Sequence, residues 1–393
     1  MTSSAPPEGR TKDRTGRLLL VLGFGCFAGT LAGRTLDPLV GVLSGEFQVP
    51  VATVALLSTA FALPYALVQP VLGPIGDAVG KVRVVLWALA ALALALLACA
   101  LAQGLSFLFL ARILSGAAAG GIFPLCIAII GDRVPLERRQ VALSRLLVWS
   151  LTGQVLGGAL SGFLQPVIGW RGVMVTCALV AALAALVLRA GARAGAEPVT
   201  RPSLPEAARR YAALLRLPAA RVLYLAVFIE AALVFGTFPF FVPLLEGRGI
   251  GSTAEAGLSV AAFGLGGFLF AGLAPWLVRN LGQARMIQAG GAACSLALLA
   301  LAVAPAAHAF AAAVLVLGLG FYMIHNSIQT RVTEVAPGAR GSAVALHACC
   351  FFLGQSAGPV LFGLGKAWLS PGLTLALAAA GMAGLGLWLG RRR

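Results

Sequence analysis

Four ionisable side chains stand inside otherwise apolar stretches: Arg34, Asp37, Arg112 and Glu230. A charge in hydrocarbon costs on the order of 2.5–3.5 kcal/mol, so each needs a partner or a purpose. The chemistry open to them is proton uptake and release. Burial favours a neutral carboxyl, a nearby cation favours the carboxylate, and a change in access to water alters both. Asp37 or Glu230 is therefore expected to carry a proton, with Arg112 tuning or displacing it. Arg34 and Asp37, three residues apart on one helix, also read as a pair that only neutralises itself.

A second group is suited to holding a small molecule. Tyr322, His325, Asn326 and Gln329 recur at three- and four-residue spacing and so share one helical face. Tyr65 and Gln69 are four apart, Gln355 lies in a later apolar stretch, and Phe235, Phe238, Phe240 and Phe241 surround Pro239. A few polar groups in a large apolar hollow are how small-molecule sites are built. Tyr65, Gln69, Phe235, Phe238, Tyr322, His325, Asn326, Gln329 and Gln355 are thus candidate substrate contacts. Two alternatives stay open: His325 and Asn326 as bonds between neighbouring helices, and the aromatics as packing or lipid-facing surface.

The elements that must position these groups follow from composition. Of 393 residues, 60% are hydrophobic and 11% charged, with a mean hydropathy of +0.95; soluble domains carry about 25% charged residues. Lipid must be the solvent for most of the chain. Spans of about 20 apolar residues fall near 18–42, 51–73, 83–103, 107–131, 145–167, 171–190, 221–246, 254–278, 284–304, 309–331, 342–367 and 371–390. Taking 1.5 Å per residue, Arg34 and Asp37 lie roughly 24–29 Å along span one, Arg112 roughly 8 Å into span four and Glu230 roughly 14 Å into span seven. Arg112 is then within reach of Asp37, and Glu230 is close to mid-bilayer.

The net charge of +16 does not indicate nucleic acid, because the cations gather at span ends. Alternate connections carry 24 of them, from Arg10, Lys12, Arg14 and Arg17 to Arg391, whereas the opposite connections carry only Arg171, Arg248 and Lys366. By the positive-inside rule both termini are cytoplasmic and the number of spans is even. The basic N-terminus resembles a signal peptide, but the apolar run after it continues too far and shows no cleavage site, so it reads as span one. The seven cysteines form no C-x-x-C pair and read as small apolar packing residues. No cofactor or metal is expected. Nor does any catalytic triad pattern or signalling domain suggest an enzyme or a sensor.

The chain divides into a bundle over 1–190, a connector over 191–220 and a bundle over 221–393. The connector reads as a linker followed by a short amphipathic helix lying on the inner leaflet, with Arg209, Arg210 and Arg216 near lipid phosphates. The halves echo each other at an offset of about 202 residues. Gly80 and Arg83 match Gly282 and Arg285, Pro135 and Arg138 match Pro337 and Arg340, and the run Gly153–Gly158 matches Gly354–Pro359. Such a parallel repeat implies two six-helix bundles related by an axis along the membrane normal, with a site between them.

The run Gly73-Pro-Ile-Gly-Asp77-Ala-Val-Gly80-Lys81-Val-Arg83 is no P-loop, since Ile75 and Val82 replace the glycine and the hydroxyl that motif needs. It resembles the signature of the major facilitator superfamily, Gly-x-x-x-Asp-x-x-Gly-Arg/Lys-x-Arg/Lys, with every defining position filled. Arg112-Ile-Leu-Ser-Gly116 is similar to that superfamily's antiporter signature in span four. The run Gly153–Gly162 sits where drug:proton antiporters carry a Gly-Pro motif, although here the proline appears as Pro359 in span eleven. Glycines four apart also have a simple packing role.

The resemblance implies an all-α membrane protein of twelve transmembrane helices, with spans one, four, seven and ten lining a central cavity. It implies that Gly73, Asp77, Gly80, Lys81 and Arg83 serve the conformational switch, Asp77 helping to lock the halves together on the cytoplasmic side. The function to expect is alternating-access transport by a monomer in a bacterial plasma membrane. Its partners are protons, the lipid bilayer and a hydrophobic or amphipathic small molecule exported in exchange for protons. Proton-linked uptake of a small polar metabolite or organic acid is the alternative.

Overall fold

A backbone crossing hydrocarbon must satisfy its own hydrogen bonds, and helices do so within one segment. The computed structural model describes residues 8–191, 204–336 and 339–392 and is helical almost throughout them. Arg193 and Arg201 of the connector, Pro337 of the repeat, Arg393 and the side chains of Arg10, Lys12 and Arg14 lie outside the described residues.

Span one comprises α1 (Glu8–Arg34) and α2 (Val40–Phe47), and α3 (Val51–Val79) and α4 (Lys81–Ala100) are spans two and three. Span four comprises α5 (Leu105–Ala119) and α6 (Ile122–Arg133), and α7 (Leu136–Gly191) follows. The connector helix is α8 (Leu204–Arg216), and α9 (Pro218–Phe235) with α10 (Phe241–Glu246) makes span seven. The chain closes with α11 (Thr253–Val303), α12 (Ala307–Val335), α13 (Arg340–Trp368) and α14 (Pro371–Arg391). The apolar parts of α7 and α11 each run for 51 residues. That is about 77 Å of helix, more than twice a hydrocarbon core of about 30 Å. Each reverses at one glycine, Gly169 (φ 67°) and Gly282 (φ 67°), and so supplies two crossings. Twelve crossings result, in two bundles of six.

Two local features recur in both halves. Spans one and seven each break into a 3-10 turn centred on a proline: Asp37–Leu39 around Pro38, and Phe238–Phe240 around Pro239. Proline has no N–H to continue the ladder. Bare-backbone helix crossings recur as well. A Cβ on Gly153 would overlap the carbonyl of Phe27, and one on Gly354 that of Phe228; Gly116 and Gly318 meet the carbonyls of Phe61 and Phe263 in the same way. Corresponding members are about 201–202 residues apart, so the repeat is built into backbone packing.

The halves meet along a seam on the face away from the chain termini. There Gly41 faces Val242, and a Cβ on Gly162 would lie 2.9 Å from the carbonyl oxygen of Thr253. Thr59 donates to the Ser356 carbonyl at 2.7 Å. The seam reaches the midplane, where the rings of Tyr65 and Phe352 lie 3.7 Å apart and the Tyr322 hydroxyl donates to Gln154 Oε1 at 3.4 Å. On the terminal face α8 packs against α3, α9 and α13. Its Tyr211 hydroxyl donates to the Pro70 carbonyl at 3.0 Å, and burial pushes that phenol above its ordinary pKa, which keeps it a donor.

Candidate functional site

The turn that breaks span one aims Asp37 along the seam. Its carboxylate lies 3.5 Å from Arg34 Nη1 and accepts a hydrogen bond from Ser58 at 2.8 Å. Arg34 reaches across to the other half, where its guanidinium carbon lies 4.2 Å from the ring centre of Phe235 and 5.1 Å from that of Phe238. A cation over aromatic faces is stabilised by the ring quadrupoles, more so out of water. The two broken helices therefore engage each other through one arginine.

The expected pairing of Arg112 with Asp37 is not formed. Arg112 is buried, donates from Nη1 to the Ala32 carbonyl at 3.3 Å and lies 4.4 Å over the ring of Phe61. The reason is local. The backbone leaves the helix after Arg34, so the Asp37 carboxylate swings to Arg34 and Ser58, while Ala32, one turn earlier, presents its carbonyl to Arg112. Arg112 Nε has no acceptor.

Glu230 is fully buried in α9, about 18 Å from the start of that helix by the 1.5 Å rise. Its Oε2 lies 3.6 Å from Nδ1 of His325 on α12. Neither carboxylate oxygen, nor that nitrogen, has a hydrogen-bond partner. The ring of His325 stacks on Phe321 at 5.0 Å and packs against Phe351 at 4.9 Å. Behind it, His347 of α13 lies 5.1 Å away, ring to ring, with its Nε2 also unpartnered.

Other candidates divide by location. Tyr322 and His325 face this interior, whereas Asn326 and Gln329 are exposed, so the four do not act as one lining face. Tyr65 packs between spans two and eleven, and Gln355 is buried in span eleven. Gln69 is a strut within one half, its Nε2 donating to the Gly120 carbonyl at 2.9 Å. Phe235 and Phe238 join Phe263, Phe321 and Phe351 in one aromatic cluster, while Phe240 and Phe241 pack on Phe362 and Phe310.

The charged turn is held through Lys81 within its own half. Gly80 adopts φ 102° and ψ 121°, open only to glycine at low cost, and spans two and three abut across it. Lys81 bridges Asp77 at 3.0 Å and Asp132 at 2.6 Å, tying spans two, three and four of the same half, and these contacts do not cross between halves. Arg83 is exposed, and nothing crowds Gly73.

Sequence reasoning missed Ser58, Phe351, Phe352 and His347. His347 carried a signal, a histidine within an apolar run, but only the crossing of α12 and α13 brings it to Glu230. Among the described residues no cluster of potential metal ligands occurs.

The family described as Major Facilitator Superfamily matches residues 20–359. An uncharacterized MFS-type transporter of Bacillus subtilis, YwfA, is 33% identical over 173 residues, 44% of this chain and 42% of YwfA. The gallate transporter of Pseudomonas putida is 26% identical over 340 residues, 78% of this chain and 74% of its own. The multidrug export protein EmrB of Escherichia coli K12 is 26% identical over 151 residues, 37% of this chain and 29% of EmrB. This chain thus spans under half the length of YwfA and of EmrB. Two crystal structures share the fold. The nucleoside transporter NupG, solved as a point mutant, has a TM-score of 0.79 at 15% identity, covering 95% of this chain and 100% of NupG. A bacterial homologue of the human lysosomal transporter Spinster, inward-facing and unoccupied, has a TM-score of 0.71 at 20% identity over 99% of this chain and 94% of its own.

Proposed function

The chain belongs to the major facilitator superfamily, and on that premise we propose that it is a proton-coupled carrier exporting a hydrophobic or amphipathic small molecule. It is a membrane transporter and not an enzyme. The observation that carries proton coupling is Glu230: a fully buried carboxyl without a hydrogen bond, beside His325. A group so placed is tolerable when it holds a proton and costly when bare, unless a charge arrives to compensate. Proton loss at Glu230 and passenger binding beside it are then coupled. The neighbouring ring cluster of Phe235, Phe321 and Phe351 supports an apolar or amphipathic passenger, and EmrB supports export.

The protein works as a monomer in a bacterial cytoplasmic membrane, and the distribution of cations supports inward termini. The switch acts through the Gly80 turn and its Lys81 network. The connector over 191–220 joins the halves.

A specific observation favours a second reading. Arg112 is a buried cation with no carboxylate at ion-pair distance among the described residues, which suits an organic acid entering with a proton. The gallate transporter supports the same direction. Purified protein in liposomes with an imposed pH gradient separates the two, using ethidium and gallate as probes while internal pH is followed. Export predicts proton flux opposed to ethidium movement; uptake predicts gallate and protons moving together. Glu230→Gln is expected to reduce coupled flux on the order of 10²-fold. Gradient-driven flux that survives both Glu230→Gln and Asp37→Asn refutes proton coupling at these carboxyls.

A further inference from the structure

Glu230, His325 and His347 come from three different helices yet form one buried ladder. Glu230 Oε2 lies 3.6 Å from His325 Nδ1, and the two imidazole rings are 5.1 Å apart. Four side-chain atoms of these residues are buried without a hydrogen-bond partner: both oxygens of Glu230, Nδ1 of His325 and Nε2 of His347. Buried polar atoms are nearly always satisfied, so four orphans in one contiguous cluster point to a ligand that comes and goes. Its members also sit at graded depth. Counted from the terminal-face ends of α13, α12 and α9, His347 is about 10 Å in, His325 about 15 Å and Glu230 about 18 Å. Aromatic side chains seal the flank, with Phe321 stacked on His325 and Phe351 against it.

We propose that His347 and His325 are the route by which a proton travels between water on the terminal face and Glu230. This rests on the reading of Glu230 as the proton carrier and adds the path that loads it. A proton taken up on His347 passes to His325, directly or across one bridging water. His325 then delivers it to the Glu230 carboxylate, leaving both imidazoles neutral and the carboxyl protonated. Only N–H and O–H bonds form and break, and the reverse order unloads it. Among the described residues the other titratable groups around the ladder are Tyr322 on α12, Cys294 on α11, Cys349 and Cys350 beside His347 on α13, and Tyr224 on α9, whose hydroxyl donates to the Ala343 carbonyl at 3.4 Å. Arg34 of the other half interacts with Tyr322.

The test is hydrogen–deuterium exchange at the Glu230 carboxyl, read by infrared spectroscopy on the full-length protein after rapid mixing with deuterated buffer. The protonated-carboxyl C=O band is expected in wild type and absent in Glu230→Gln. Its shift on deuteration is expected to slow on the order of 10²-fold in His347→Gln and in His347→Asn. It is expected to be unchanged in His308→Gln, which alters a histidine at the far end of α12. Two near-isosteric variants guard against a folding defect in one. A wild-type exchange rate in both His347 variants overturns the relay while leaving Glu230 as carrier. A band that persists in Glu230→Gln overturns the carrier itself.

Discussion

Adding one methyl group at Gly162 tests whether the halves part along the seam. A Cβ there would lie 2.9 Å from the Thr253 carbonyl oxygen, 3.1 Å from Ala254 Cα and 3.2 Å from the Ala254 carbonyl oxygen. All three are backbone atoms of the opposite half and cannot rotate away. Overpacking of this kind costs about 1–3 kcal/mol. The cost falls only on the arrangement with the seam closed, so Gly162→Ala should shift the equilibrium towards an open seam by about 5–150-fold. Gly153 supplies the contrast. Its added Cβ meets the carbonyl of Phe27, in the same half, so the strain is present in both arrangements.

Nitroxides on Gly45→Cys and Glu246→Cys, exposed residues on the two sides of the seam, report the separation by pulsed electron spin resonance. Gly162→Ala should add a longer-distance population absent from wild type. Gly153→Ala should lower thermal stability and leave the distances alone. If both variants lose stability alike and neither changes the distances, the halves do not separate where these helices touch.

Two further outcomes follow from the same geometry. Asp37→Asn leaves the part-buried Arg34 without its carboxylate, so the single variant should lose stability, by less than the roughly 3–5 kcal/mol of a fully buried pair; the double variant with Arg34→Gln should recover part of that loss, as measured by thermal unfolding in detergent. Gly80→Ala places a side chain at φ 102° and should cost about 1–3 kcal/mol; the corresponding change at exposed Gly45, in a helix with open space around it, should cost nothing measurable in the same assay.

The twelve crossings and the paired halves were legible because lipid demands long apolar runs and loops signal their side by charge. The repeat showed in sequence at turns, where Gly80 and Gly282 need backbone angles that other residues avoid, and in the glycine runs at Gly153 and Gly354. It was hidden at Pro38 and Pro239, since the neighbours of those prolines are charged in one half and aromatic in the other. Depth along a helix placed Arg34, Asp37 and Glu230 sensibly, because rise per residue is fixed. Which partner each would choose was not legible. Arg112 turned to a carbonyl because α1 ends at Arg34, and helix ends are poorly marked in apolar sequence. Nor was the pairing of His347 with His325 legible, because α12 and α13 meet here through ring contacts, His325 on His347 and Phe351 and Phe321 on Phe351, that only the packed helices bring together.

The guanidinium of Arg34, laid over Phe235 and Phe238, has a consequence for selectivity. A tethered cation thus occupies the aromatic faces that, on the function proposed above, would receive cargo. On that proposal a passenger settling there would first evict it, and the freed arginine would be available to greet a negative group. Occupancy and unlatching would then be one event, and a molecule too small to displace the arm would leave the two halves clasped.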